Sequence, residues 1–154
     1  MGLPAHNKEE IVFAALAGVL YTLFGMAHIA EGFGINTGLA QYLFVPGDIL
    51  GGACLLVIGM VFLKGAREMT GGINAGVSFV YVGILLSLVF MAVYILTMGG
   101  YLLDSVLVPE DYEEWSIMDS FRPGIYLGIL SVIGVLHWKD RFSLNEILVF
   151  REAT

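Results

Sequence analysis

The sequence predicts an all-α integral membrane protein, folded as a bundle of four transmembrane helices. Three observations carry this prediction: 58% of the 154 residues are hydrophobic, only 14% are charged, and the apolar residues fall in long unbroken blocks. An average soluble domain carries about 25% charged residues, and water would leave much of this apolar surface uncovered. The same hydrophobicity excludes a disordered chain. One cysteine, Cys54, leaves no intramolecular disulfide and no metal site built from cysteines. The solvent of this chain is lipid.

The first span covers residues 11–32, of which Ile11–Ala30 carry no formal charge. About 20 apolar residues cross some 30 Å of hydrocarbon as a helix. The run exceeds a typical signal-peptide core and no small-residue cleavage pattern follows it, so it reads as a span. The second span, 46–63, opens on Pro46, whose missing N–H costs nothing in a first helical turn. The third, 74–100, lies inside the uncharged stretch Met69–Leu103, and the fourth, 122–138, ends at Lys139-Asp140-Arg141. The second and fourth are short between their flanking charges, and snorkelling bases and aromatics extend them. All four form one domain.

Residues 103–121 are expected as an external loop. Pro109 can open a short helix there, with Glu110 and Asp111 at its positive end. Tyr112, Trp115, Met118 and Phe121 recur every third residue, a pattern that suits a helix lying in the membrane interface. Leu144, Ile147, Leu148 and Phe150 suggest a similar amphipathic piece in the tail.

Charge orients the bundle. Lys8, Lys64, Arg67, Lys139, Arg141 and Arg151 fall on the N-terminus, the second loop and the tail, which share one side of a four-pass chain. Arg122 alone lies opposite. Both termini are therefore expected in the cytoplasm of a multi-pass cell-membrane protein. Acidic residues balance the inner bases, so the formal net charge of −7 falls on the external side. Such a face repels nucleic acid and attracts cations or basic partners.

Two stretches suggest an internal duplication. Gly18–Ala27 resembles Gly83–Ala92, and Phe44-Val-Pro-Gly-Asp-Ile-Leu-Gly51 resembles Phe121-Arg-Pro-Gly-Ile-Tyr-Leu-Gly128. The second match is the more specific, because Pro-Gly at a helix start is a positional device. Duplicated hairpins would be parallel repeats about an axis along the membrane normal. Between the helices, lipid supplies no hydrophobic drive, so close approach relies on small residues. Ala14/Gly18, Gly47/Gly51 and the run Gly51-Gly52-Ala53-Cys54 offer such faces, for packing within the bundle or for docking.

Candidate chemistry sits where the first hairpin turns. His28, Glu31 and Asp48 share one depth, and His28 and Glu31 are i,i+3 neighbours. Ionisable groups in a membrane span are functional candidates by default. An imidazole between two carboxylates suits a divalent metal or a relayed proton. The duplicate positions are Val93, Leu96 and Ile125, so this polarity belongs to one hairpin only. The plainer alternative makes Asp48 a helix cap and Glu31 a water-facing carboxylate. His28 and His137 lie at opposite ends, so they cannot clamp one haem within a single chain. No nucleophile elbow, zinc-protease, P-loop or Rossmann motif occurs.

The sequence therefore points away from an enzyme. It favours an accessory or scaffolding subunit of a larger membrane complex, with other membrane subunits or a second copy as partners. One alternative is a cation- or proton-coupled transporter component using His28, Glu31 and Asp48. A further alternative is a haem- or quinone-linked electron-transfer subunit. No cofactor is specified.

Overall fold

A computed structural model describes residues 5–35, 38, 40–73, 75–111 and 120–138. Its elements are α1 (Ala5–Gly32), a single-turn α2 (Ala40–Leu43), α3 (Ile49–Thr70), α4 (Ala75–Leu107), a 3-10 turn (Pro109–Asp111) and α5 (Pro123–Trp138). The four long helices make this an all-α protein. By length and composition α1, α3 and α4 can each cross a membrane, whereas α5 is a shorter apolar helix of 16 residues. At 1.5 Å per residue α5 is about 24 Å long, against some 30 Å of hydrocarbon.

The helices pack in chain order: α1 along α3, α3 along α4, and α4 along α5, while α1 and α5 meet only briefly. The end where α1 turns into α3 is termed distal here, and the opposite end terminal. Glycine lets α1 and α3 meet closely. A Cβ on Gly52 would stand 2.8 Å from the Gly25 carbonyl oxygen, and one on Gly25 would stand 2.9 Å from that of Gly52. Only residues without side chains let these backbones approach so far. Gly18 likewise faces Leu63 of α3, so its small surface serves packing within the bundle. The run Gly51–Cys54 divides: Gly51 and Gly52 are buried, Ala53 is exposed and Cys54 is half-buried.

Tyr21, Phe62, Leu55, Ile84 and Leu127 fill the core, with Ala14 and Ala17 beside them. Phe62 stacks on Tyr21 at 5.8 Å between centroids and meets Phe13 edge-on at 6.0 Å. Tyr21 also hydrogen-bonds Ser87 across the bundle, and Ser131 adds a third fully buried hydroxyl. At the distal end, the Tyr126 hydroxyl donates to the Leu43 carbonyl at 3.1 Å. This bond ties α2 to α5, and the same Tyr126 ring meets Phe24 of α1 edge-on at 5.5 Å.

Several helix bounds differ from the expected ones. Pro46 does not open α3. The helix starts at Ile49, because Asp48 in an extended conformation caps it by accepting from the Gly51 N–H at 2.9 Å. Pro123, in contrast, is the first residue of α5. The two Pro-Gly steps that suggested a repeat thus enter their helices at different positions. At its other end α3 runs past Lys64 to Thr70, and a turn follows in which Gly72 takes φ 77, a left-handed conformation that glycine adopts without strain. Lys64 lies 3.9 Å from Glu68 on the helix surface, so a base there does not end the span's helix. α4 continues through Leu107, seven residues beyond the expected end at 100. No proline interrupts it before Pro109, where the 3-10 turn begins. The start of the expected external loop is therefore helix. Tyr112, Trp115 and Met118, like the tail, lie outside the described residues.

Candidate functional site

His28 follows Ala14 and Tyr21 along α1 at intervals of seven, which return to nearly the same helix face. All three are fully buried, with relative exposures of 0%. Gly52 makes room for the imidazole: a Cβ there would stand 2.9 Å from the His28 Cβ. Neither ring nitrogen of His28 has a hydrogen-bond partner. This leaves an imidazole with all its polar capacity unused inside an apolar bundle.

Asp48 reaches the same end from the loop before α3. Its Oδ1 accepts the Gly51 N–H, while Oδ2 and the Tyr94 hydroxyl of α4 both converge on the space beside Gly51. Tyr94 is 8% exposed. Its ring lies against Gly124, where a Cβ would overlap it. The guanidinium carbon of Arg122 stands 5.7 Å from the centroid of that ring, over its face. Asp48 and Arg122 place opposite charges at the end of the bundle that holds His28. Each long helix, or the residue leading into it, thus contributes one polar group.

The three residues expected together all lie at the distal end of the bundle. His28 and Asp48 occupy the same end, yet they do not hydrogen-bond, because His28 has no partner at all. The cap has claimed Oδ1 of Asp48. Glu31 is half-buried one turn beyond His28, where its backbone carbonyl faces Gly47. Among the described residues, no three His, Cys, Asp or Glu side chains are placed to hold a metal ion. Tyr94 and Arg122 are the members that sequence reasoning missed. Arg122 had a signal, as the lone base on its side of the chain. Tyr94 had none, being one of 7 tyrosines set in an uncharged run.

At the terminal end, His137 Nε2 of α5 lies 3.5 Å from Glu9 Oε2 of α1, and both side chains are largely exposed. Phe13 and Trp138 meet edge-on at 5.0 Å beside this pair. Such a surface pair contributes little, and it closes the loose α1–α5 seam with contacts suited to an interface belt.

Residues 5–140 match the family described as the MJ0565 integral membrane domain. The "Uncharacterized protein MJ0565" of Methanocaldococcus jannaschii is 26% identical over 129 residues, which cover 82% of this chain and 87% of that protein. No solved structure matches. The chain belongs to the MJ0565 integral membrane domain family and is a multi-pass membrane protein.

Proposed function

We propose that this member of the MJ0565 family is a non-enzymatic accessory or scaffolding subunit of a larger membrane complex. The distal part of α4 carries the reading. Tyr94 is level with Gly51 near the start of α3 and with Gly124 at the start of α5. From there α4 continues to Leu107, a further 20 Å or so at 1.5 Å per residue. Over this length no described residue of α4 is buried, and Leu96, Leu103 and Val106 are 75%, 66% and 74% exposed. Their spacing of seven and three puts them on one side of the helix.

Lipid covers apolar side chains only within the hydrocarbon. A helix of 33 residues is about 50 Å long, more than the 40–45 Å or so of a bilayer with its headgroups. The apolar stripe near Leu103 and Val106 therefore calls for a protein partner. With cytoplasmic termini, as the basic residues suggest, this projection is external. Asp104 and Glu110 beside it make basic surface the complementary choice.

A photo-crosslinking residue at Leu103, in native membranes, tests the proposal against the same probe at lipid-facing Val57 on α3, itself 50% exposed. The expected result is a discrete adduct with one other protein from Leu103 and lipid adducts alone from Val57. Lipid adducts alone from both positions would overturn it. An adduct only with a second copy would replace it with a homo-oligomer.

A further inference from the structure

His28 has no part in the subunit reading, which rests on the length of α4 beyond Tyr94. Burying a polar side chain with both nitrogens unpaired costs stability, and burying it in a membrane protein leaves no bulk water to compensate. A neutral imidazole has one donor and one acceptor to offer, and here neither is engaged.

The titratable and charged groups at this end of the bundle narrow what it can take. Glu31 lies on the same helix, Asp48 and Cys54 come from the segment opening α3, Tyr94 from α4, and Arg122 from the start of α5. Asp48 at Gly51 and Arg122 against Tyr94 bring opposite charges to this end of the bundle. A guanidinium beside the carboxylate makes this a poor setting for a free divalent ion. The described donors do not include three that could hold one. A proton differs from any larger ligand because it needs no space, and the imidazole is fully enclosed.

We propose that His28 is a proton-binding site at the distal end of the bundle, with Asp48 as its counter-ion and Arg122, held against Tyr94, as the opposing charge. The proton comes from water at that end and adds to the lone pair of the unprotonated ring nitrogen. The O–H bond of the donating hydronium breaks as the N–H bond forms, water is left behind, and no electron acceptor is involved. The imidazolium then has two N–H donors, one of which can turn to Asp48. Oδ1 of Asp48 secures the first turn of α3 through Gly51, which leaves Oδ2 to accept from the imidazolium. External acidity is thereby read at the junction of α1 and α3.

Nitrogen NMR of histidine-labelled protein in lipid nanodiscs tests this between about pH 8.5 and 4.5, the range in which imidazole sites titrate. The chain has 3 histidines, and His28→Gln identifies the resonance. The expected result is a change from a neutral to a doubly protonated ring as the pH falls. Asp48→Asn keeps a capping side chain and should weaken proton binding by on the order of tenfold, while Arg122→Gln should strengthen it by a similar factor. A resonance that stays neutral throughout the range in the unsubstituted protein would overturn the proposal. So would a midpoint that neither substitution moves. Crosslinking at Leu103 is independent of either result.

Discussion

Arg122 holds its guanidinium over the ring of Tyr94, 5.7 Å from the centroid, while the edge of the same ring rests on Gly124. The base that leads into α5 is thus matched to an aromatic on α4, and the glycine two residues later leaves space for that match. A cation over an aromatic face contributes about 0.5–2 kcal/mol, more as water is excluded. The contact fixes how α5 begins relative to α4, and with it the distance from Arg122 to His28.

Gly124→Ala should therefore displace Tyr94 and destabilise the bundle by about 1–3 kcal/mol, the usual cost of overpacking. Gly99 lies in the same helix as Tyr94, and a Cβ added there would have nothing within 4 Å. Gly99→Ala should instead be neutral, or stabilising by up to about 1 kcal/mol. Thermal unfolding of both variants in one detergent reads the contrast, and equal effects would contradict the packing described.

Tyr21→Phe removes the hydroxyl bonded to Ser87 in the core. It should cost about 1–3 kcal/mol, because the Ser87 hydroxyl stays buried without this partner. Adding Ser87→Ala should recover part of the loss. Equilibrium unfolding of the single and double variants measures the coupling, and strict additivity would show that the two hydroxyls do not bond.

Asp48→Ala should cost about 1 kcal/mol, through the lost cap on Gly51, whereas Asp48→Asn should cost only a few tenths. Circular dichroism melts distinguish them. A large loss with Asn would mean that the charge of Asp48, and not its cap, stabilises the distal end.

Cysteines placed at Ser116 and Ser143, with Cys54 replaced, report orientation. An impermeant reagent added to intact cells should label Ser116→Cys and leave Ser143→Cys unlabelled. The reverse pattern would place the termini outside and turn the α4 projection toward the cytoplasm.

Membrane insertion was legible in the residues alone, since apolar run length is a local property and decides which solvent a helix can enter. The role of Asp48 as a cap was legible for the same reason: Gly51 is three residues away. His28 stood out as an ionisable group within a span. Its neighbours did not, because Tyr94 and Arg122 are 66 and 94 positions distant in the chain. Which of them face His28 depends on the rotation and register of four helices. In a soluble bundle the polar face of each helix would announce that rotation. Here lipid accepts apolar side chains on the outside as readily as the core does inside, so the outward and inward faces of α4 are written in the same residues. Gly25, Gly52 and Gly124 resolve the ambiguity only when their neighbours are present, because a missing side chain acts by what moves into its place.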